Sequence, residues 1–218
     1  MNSWTFDTPE IASSFDSHVR EQLPWYDMVT DSVVYIIKNY LSENNSIVDI
    51  GASTGNMIEK LLPLVKERSC DMVAIEKSEY MYKVLLEKFG SIPFLDIDNS
   101  DVLDIHMPKG QIYILFLTLM FIPVSMRQKL LQRIKESCVE GGVIIVVDKV
   151  CDHSGYFSTV LKRLTWNQKI LQGAKPEDIL IKEMSLAGVQ IPINATILGD
   201  DAKLFFRMGE FAGWVIQV

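Results

Sequence analysis

One short segment constrains the fold of this chain more than any other, the run Ile47-Val48-Asp49-Ile50-Gly51-Ala52-Ser53-Thr54-Gly55-Asn56. An apolar stretch ends in an acid, a turn of small residues follows, and residues 57–65 are compatible with a helix. Glycine lets the backbone approach a ligand closely, and the helix presents unpaired N–H groups to it. The turn lacks the third glycine of a dinucleotide fingerprint, so it predicts a nucleoside site and not a pyrophosphate site.

Apolar runs alternate with helical patterns along the chain. The predicted strands are residues 47–50, 72–75, 112–117 and 143–147, with a weaker one at 92–97. Apolar residues at three- and four-residue spacing predict helices over 57–67, 79–89 and 125–137. Such alternation indicates an α/β fold with a parallel sheet covered on both faces. Residues 203–208 and 214–218 predict a closing antiparallel β-hairpin.

Two segments lie outside this alternation, an N-terminal extension with predicted helices at 9–22 and 27–41 and an insertion at 151–192. We expect one domain over residues 1–218, made of a helical extension (1–44), a ligand-binding core (45–150), a helical insertion (151–192) and a C-terminal hairpin (193–218). Ligands bind at the carboxyl ends of the strands in open α/β sheets. The two extra segments therefore either close over that edge as a lid or only cover apolar surface.

Composition excludes several classes of protein. The 218 residues carry a formal net charge of −7, which argues against a broad nucleic-acid surface. Cys70, Cys138 and Cys151 have no zinc or disulfide spacing, so we interpret them as buried thiols and expect no metal site. No secretory signal precedes the first helix, and the longest apolar run, residues 112–124, is too short to cross a bilayer. We expect a cytoplasmic protein without membrane contact.

Acidic residues follow the predicted strands. Glu76 ends the second strand, where a carboxylate can accept both hydroxyls of a ribose, although an ordinary solvated carboxylate is the alternative. In the next loop Asp101 can accept an adenine amino group while Val102 packs on the ring; Asp96, Asp98 and Asp104 are competing candidates. Asp49 either receives an ammonium group or supports the turn. For Asp148-Lys149 we expect a solvent-facing pair.

Together the turn and these acids predict an adenosine pocket without pyrophosphate, and the chain then resembles the class I S-adenosylmethionine-dependent methyltransferases. Within them it is similar to the carboxy-S-adenosylmethionine synthases of tRNA wobble-uridine modification. The resemblance runs from residue 4 to residue 218 and is carried by Trp4-Thr5-Phe6-Asp7, Phe15-Asp16 with Val19, Pro24-Trp25-Tyr26, Asp49-Ile50-Gly51-Ala52-Ser53, Thr118-Leu119-Met120-Phe121 with Arg127, Gly141-Gly142, and Lys182 with Leu186, Val189 and Ile191-Pro192.

This resemblance implies a Rossmann-like methyltransferase sheet, S-adenosyl-L-methionine as cofactor and a homodimer. The residues expected around the cofactor are Tyr26, Asp49, Gly51, Ser53, Gly55, Glu76, Lys77, Asp101, Val102 and Phe116. Several features depart from the synthases. Glu76 stands where they usually have an aspartate, and residues 193–202 are too short for a helix expected there. Phe116 replaces an asparagine, and Glu183 replaces the arginine that receives the extra carboxylate of their cofactor. A glutamate would repel that carboxylate, which an arginine clamps.

Three hypotheses follow from the sequence. The first is direct methyl transfer from S-adenosyl-L-methionine to an unidentified acceptor, a small molecule or tRNA. The second is synthesis of the carboxylated cofactor, and the third is a nucleoside-binding or partner-binding protein without chemistry. The catalytic residues are unknown; if the acceptor carries a proton, Tyr26, His18 and Asp148 are the candidate bases.

Overall fold

Seven strands form a single sheet in the computed structural model, which describes residues 8–151 and 155–218. The strands are β1 (Ser46–Ile50), β2 (Asp71–Ile75), β3 (Leu95–Asp98), β4 (Gly110–Phe116), β5 (Cys138–Lys149), β6 (Lys203–Met208) and β7 (Phe211–Gln217). Their order across the sheet is β3-β2-β1-β4-β5-β7-β6. Strands β1 to β5 are parallel, whereas β7 pairs antiparallel with both β5 and β6. The predicted α/β fold with an antiparallel closing hairpin is confirmed.

Helices connect and cover these strands. They are α1 (Pro9–Gln22), α2 (Tyr26–Tyr40), α3 (Asn56–Glu67), α4 (Glu79–Phe89), α5 (Val124–Ser137), α6 (Tyr156–Leu171) and α7 (Pro176–Ser185), with short 3-10 helices at Leu119–Phe121 and Ala195–Leu198. Side-chain caps begin two of them, because Thr8 accepts from the Ile11 N–H and Ser78 from the Met81 N–H. No helix in the described part of the chain is long and apolar enough to cross a membrane.

Strand β4 shows how the sequence pattern builds two cores. Its residues Ile112 to Leu115 have no exposed surface. Successive side chains of a strand point to opposite faces, so Ile112 and Ile114 pack in the core with α2 and α3, and Tyr113 and Leu115 pack in the core with α5. A continuous apolar run is therefore required at this position, as the parallel sheet predicts.

The N-terminal helices join this structure through apolar contacts. On α2, Val29, Val33 and Ile37 are spaced one helical turn apart and are at most 1% exposed. Between α1 and α2 the Trp25 ring lies 5.0 Å from the Phe206 ring and 5.1 Å from the Phe211 ring, measured between centroids. The extension therefore packs against the closing hairpin at the far end of the chain. The sequence motif at residues 4–7 lies outside the described residues.

Most strand boundaries differ from the prediction by one or two residues, and β5 differs most at its start, since it begins at Cys138 and not at residue 143. Two further differences have a clear physical reason. Strand β3 begins at Leu95 instead of residue 92, because the Ile92 and Leu95 N–H groups close turns onto Phe89 and Ile92, and Pro93 has no N–H to donate. Strand β7 begins at Phe211, so residues 211–213 do not belong to the turn. Gly213 lies within this strand, and a glycine is needed there because a Cβ would lie 2.7 Å from Cζ of Phe205.

The expectation of three buried thiols is wrong for one cysteine. Cys70 is buried and Cys138 is half-buried, but Cys151 is exposed. It follows the end of β5, where its backbone N–H still donates to the Ile193 carbonyl at 2.8 Å while its side chain leaves the sheet. None of the described cysteines forms a disulfide.

Candidate functional site

A cavity of about 820 Å³ opens at the carboxyl ends of β1, β2, β4 and β5. This volume is in the range of pockets that take small molecules and cofactors. Residues of α1 and of α6 and α7 line it together with residues of the sheet, among them Phe15, His18, Lys169 and Lys182. Both extra segments therefore form walls of the cavity and do more than cover apolar surface.

The turn after β1 holds an unusual backbone conformation. Gly51, Ser53 and Gly55 all have positive φ, at 79°, 53° and 87°. The Gly51 and Ala52 N–H groups both donate to the Ile75 carbonyl, at 2.8 and 3.1 Å. The turn is thus fastened to the end of β2, and the first residues of α3 follow it directly. A serine with positive φ is uncommon, which marks Ser53 as a position where the surrounding structure imposes the conformation.

The two glycines of the turn are required for different reasons. A Cβ at Gly51 would lie 2.7 Å from Oγ1 of Thr118, whose hydroxyl donates to the Ile50 carbonyl at 2.8 Å. A Cβ at Gly55 would lie 2.3 Å from Cε2 of Phe89. Gly51 lines the cavity, whereas Gly55 faces α4 and does not. The close contact with Phe89 gives Gly55 a role in helix packing, and its place around the cofactor stays a prediction.

Glu76 stands directly opposite the turn. Its Oε2 accepts from the Ser53 N–H at 2.8 Å, and its Oε1 accepts from the Ser78 N–H at 2.7 Å. The side chain lines the cavity although the residue is only 9% exposed. An ordinary solvated carboxylate does not fit this position, because two backbone donors hold both oxygens of Glu76 in a fixed plane.

Asp101 lies across the cavity edge from Glu76. Its Oδ2 pairs with Nζ of Lys77 at 2.7 Å, and its Oδ1 accepts from the Leu103 N–H at 2.9 Å. Burial alone would raise the pKa of Asp101, but Lys77 and the Leu103 N–H outweigh it and lower the pKa, so the carboxylate stays ionised. Val102 is buried and lines the same wall. Of the four acids considered in this region, Asp101 alone lines the cavity.

Asp49 is the last polar residue before the turn and is only 2% exposed. Its Oδ2 accepts no hydrogen bond from any described residue. Burial raises its pKa to about 7, and the neighbouring Glu76 carboxylate adds to that increase. A buried acceptor without a partner is costly, so an oxygen that lines a cavity in this state is ready to receive a donor from a ligand.

Two aromatic rings form a further wall. The Tyr26 ring meets the Phe116 ring edge to face at a centroid distance of 5.5 Å, and the Arg20 guanidinium lies over Tyr26 at 5.6 Å. Burial raises the pKa of the Tyr26 phenol, which therefore stays protonated. Phe116 brings an apolar face to a position where the synthases that the sequence resembles carry an asparagine.

Asp16 fastens α1 to the turn, a role that sequence reasoning missed. Its carboxylate accepts from the Thr54 hydroxyl, from Nδ2 of Asn56 at 2.8 Å and from Nζ of Lys88 at 2.8 Å. Burial opposes ionisation, but these three donors together lower the pKa of Asp16. The only signal in the sequence was its place in the Phe15-Asp16 motif. Asp16 positions α1 so that Phe15 and His18 reach the cavity.

A cluster of three lysines occupies the side of the cavity formed by β5, α6 and α7. Lys149 ends β5, Lys169 is on α6 and Lys182 is on α7, and all three line the cavity. The expected solvent-facing Asp148-Lys149 pair is wrong, because these residues are 0% and 7% exposed. They lie between β4 and β7 in the sheet and beneath the inserted helices, which the sequence pattern did not indicate.

Of the ten residues expected around the cofactor, the cavity brings together nine, and Gly55 is the exception. Among the candidate bases, Tyr26 and His18 line the cavity, whereas Asp148 does not. The Asp148 carboxylate instead accepts from the Met120 and Lys149 N–H groups, at 3.2 and 2.8 Å. Within residues 8–151 and 155–218, no group of three histidines, cysteines or acids could hold a metal ion.

Comparison with known proteins agrees with this geometry. The O-methyltransferase domain family matches residues 4–172. A carboxy-S-adenosyl-L-methionine synthase of Staphylococcus epidermidis is 28% identical, and the alignment covers 96% of this chain and 95% of that protein. A synthase of the same name from Nautilia profundicola is 27% identical over 94% of this chain and 91% of its own.

Solved structures share the fold at low sequence identity. A putative S-adenosyl-L-methionine-dependent methyltransferase of Methanococcus maripaludis superposes with a TM-score of 0.59 at 16% identity, covering all of this chain and 95% of that one. Human N-acetylserotonin methyltransferase in complex with SAM gives a TM-score of 0.63 at 14% identity, over 96% of this chain and 56% of that one.

The matched region spans most of the chain, and the chain therefore belongs to the O-methyltransferase domain family. The expected Rossmann-like methyltransferase fold, the class of enzyme and the cofactor, S-adenosyl-L-methionine, are confirmed.

Proposed function

We propose that this enzyme binds S-adenosyl-L-methionine at the turn end of the cavity (Gly51, Ser53, Glu76) and transfers its methyl group to an acceptor bound beside the lysine cluster. The observation that carries the proposal is the Glu76 carboxylate, which two backbone N–H groups fix at the cavity edge. A carboxylate fixed at this place is suited to accept hydrogen bonds from two vicinal hydroxyls of a ribose. Because both oxygens are held in advance, binding requires little ordering of this side chain.

The other residues of the proposed site would each contact a different part of the cofactor. Asp101 is suited to accept the adenine amino group while Val102 packs on the ring, and Lys77 keeps Asp101 ionised. Asp49 is suited to the ammonium group, since its buried Oδ2 accepts no hydrogen bond from a described residue and the side chain lines the cavity. Tyr26 and Phe116 would enclose the sulfonium end with aromatic rings, which favour a cation.

Methyl transfer makes modest demands on the protein. When bound, the cofactor supplies an electrophilic methyl group, and the protein has to hold an acceptor in line with it in a site from which water is excluded. If that acceptor carries a proton, His18 is the best-placed base. It lines the cavity, and burial together with the nearby Lys182 lowers its pKa, so the ring is neutral at physiological pH. Nε2 lies 2.5 Å from Nζ of Lys182, so His18 can accept a proton from the acceptor once this contact with the lysine is released.

Synthesis of the carboxylated cofactor is the second candidate. It is supported by the relatives named carboxy-S-adenosyl-L-methionine synthase, which align over most of their own length. The objection that Glu183 would repel the carboxylate is weaker than the sequence suggested. Nζ of Lys149 lies 3.5 Å and Nζ of Lys169 3.9 Å from the Glu183 carboxylate, so the charge of Glu183 is balanced by its neighbours.

Calorimetric titration with S-adenosyl-L-homocysteine tests the cofactor site. The wild-type protein should bind with saturation, and Glu76→Ala should weaken binding about a hundredfold, since two charge-assisted hydrogen bonds are lost. Glu59→Ala is the matched control, because Glu59 is exposed on α3 away from the cavity. Absence of binding by the wild type would refute both enzyme hypotheses and leave the binding-protein hypothesis.

Mass spectrometry of the ligand that co-purifies with the protein separates the two enzyme hypotheses. Ordinary S-adenosyl nucleosides support methyl transfer, whereas a carboxylated nucleoside supports the synthase. Transfer of label from S-adenosyl-L-methionine to fractions of metabolites and tRNA would then identify the acceptor class. We propose further that residues 1–218 act as one domain, in the cytoplasm and as a homodimer; sedimentation would test the last of these.

A further inference from the structure

Positive charge accumulates in the part of the cavity that the proposed cofactor site does not use. The side chains of Lys149 and Lys169 are only 8% and 9% exposed, and Lys182 lines the same wall. Glu183 is the nearest carboxylate, but its distances of 3.5 and 3.9 Å to Lys149 and Lys169 are too long for good hydrogen bonds. The cluster is thus held by long ion pairs and not by a closed hydrogen-bond network.

Other described groups contact the three lysines as well. Lys149 donates to Oε1 of Gln190 at 3.2 Å, and Nζ of Lys182 lies 2.5 Å from Nε2 of His18, both of which are uncharged partners. Glu210 interacts with Lys169 at longer range, and Asp148 directs its oxygens to backbone N–H groups. Lys149 and Lys169 therefore share the charge of Glu183, and Lys169 also interacts with a part of the charge of Glu210.

Burial and mutual repulsion act together on Lys169 and Lys182. Burial and the neighbouring Lys169 and Lys149 lower the pKa of Lys182 to about 8, and Glu183 opposes this only in part. The pKa of Lys169 is lowered for the same reasons. A bound anion would relieve this repulsion, and a desolvated cationic pocket is where an anion gains most from charge pairing.

We propose that the lysine cluster is the acceptor subsite and binds the acidic group, carboxylate or phosphate, of a small acceptor with an apolar body. The inference rests on the proposed methyltransferase function and names its substrate class. Apolar side chains that line the same cavity, including Phe15, Phe121, Val189 and Phe211, provide the surface for the apolar body. Lysine presents a point charge and so accommodates either anion, whereas arginine favours planar bidentate pairing.

The burial of the cluster argues against tRNA as the source of the anion. Lysines that contact a nucleic-acid backbone form an exposed basic surface. Here Lys149 and Lys169 are almost completely buried inside the cavity, and the chain as a whole carries a formal net charge of −7. An acidic group can reach these lysines only at the end of a small molecule that enters the cavity.

Titrations with simple probes test the assignment. In the presence of saturating S-adenosyl-L-homocysteine, benzoate and phenyl phosphate should bind at least about tenfold more tightly than the neutral isostere benzamide. Comparison of the two acids shows which anion the subsite prefers. Lys169→Met and Lys182→Met should each reduce binding of the acids about tenfold while binding of S-adenosyl-L-homocysteine is unchanged. Lys175→Met, an exposed lysine at the start of α7, is the matched control and should have no effect.

The outcomes separate the inference from the function on which it rests. If S-adenosyl-L-homocysteine binds but the acids bind no better than benzamide, the acceptor subsite is refuted and the cofactor site stands. Equal binding of the acids by wild type and both lysine variants also refutes it. If carboxylated S-adenosyl-L-methionine binds more tightly than the ordinary form and displaces benzoate, the anion belongs to the cofactor and the acceptor assignment is overturned.

Discussion

The two ends of the cavity hold charge in opposite ways. At the turn end, the Glu76 carboxylate is fixed by backbone N–H groups at 2.8 and 2.7 Å, so its geometry is set by the sheet. In the lysine cluster, the charges are held by side chains of β5, α6 and α7 across 3.5 and 3.9 Å. The turn end is therefore a rigid site, suited to a ligand that does not vary, and we refer to it as the rigid end. The lysine cluster is a looser site, and its specificity depends on the inserted helices.

The largest effect is expected for the free energy of unfolding when Asp49 is replaced. Its Oδ2 is buried at the rigid end and accepts no hydrogen bond from a described residue. Its pKa of about 7 in the folded protein exceeds the ordinary value of 3.8, a difference that corresponds to about 4 kcal/mol at most. As pH rises through this interval the unfolded chain releases the proton first, so the free energy of unfolding falls. Asp49→Asn should remove that loss and stabilise the free protein above about pH 7, with little effect near pH 4.

Urea unfolding of both proteins across this pH range is the measurement. Asp71→Asn serves as the control because Asp71 is exposed at the start of β2. Curves that stay parallel for wild type and Asp49→Asn would show that Asp49 is not a buried, titrating acid. The same variant should bind S-adenosyl-L-homocysteine more weakly, because an amide pairs with an ammonium group less well than a carboxylate.

The next largest effect is the loss of folding stability expected when Gly55 is replaced by alanine. A Cβ there would meet Phe89 and Leu85 at 2.3 and 2.8 Å, at a φ of 87°. Positive φ costs a non-glycine residue roughly 1–2 kcal/mol, and overpacking adds roughly 1–3 kcal/mol. Gly55→Ala should therefore lower the free energy of unfolding by about 3 kcal/mol, and the thermal midpoint accordingly.

Gly141→Ala is a matched control for this experiment. Gly141 has a φ of 77°, but a Cβ there would meet nothing within 4 Å. Its replacement should cost only about 1 kcal/mol, from backbone strain alone. Equal losses in the two variants would show that packing against α4 does not hold the turn.

A smaller loss of affinity is expected when the proposed adenine contact at Asp101 is removed. Asp101→Ala should weaken binding of S-adenosyl-L-homocysteine about tenfold, which corresponds to one charge-assisted hydrogen bond. Lys77→Ala removes the partner of Asp101 but leaves the carboxylate and its Leu103 bond in place, and should change the affinity much less. An equal loss in both variants would show that the ion pair, and not Asp101 itself, supports the ligand.

The sequence predicted the rigid end well because the information there is local. Asp49, Gly51, Ser53, Glu76 and Asp101 each follow a strand, and the carboxyl ends of parallel strands meet at one edge of a sheet. The hydrophobic pattern located those strands within a few residues. The pattern alone does not separate the roles of the two glycines, because glycine serves ligand approach at one turn position and helix packing at another.

The lysine cluster could not be predicted in this way. Lys149, Lys169 and Lys182 are 20 and 13 residues apart along the chain. Lys149 and Lys182 were noted separately, at the end of a strand and in a motif of the resemblance, but no pattern joins them to Lys169. Their meeting depends on how α6 and α7 fold over the sheet. A lysine that becomes buried in such a place has no signature in the sequence, since most lysines are exposed.

Glu183 provides the smallest and most discriminating test of the contrast between the two ends. It lies near two ammonium groups, at 3.5 and 3.9 Å, and competes with any anion that approaches them. Glu183→Gln keeps the size of the side chain and removes the competing charge. Binding of benzoate to the complex with S-adenosyl-L-homocysteine should therefore tighten about fivefold, or about 1 kcal/mol, while cofactor affinity stays constant. If benzoate binding instead weakens, Glu183 organises the lysines for the anion, and the looser end of the cavity is as preorganised as the turn.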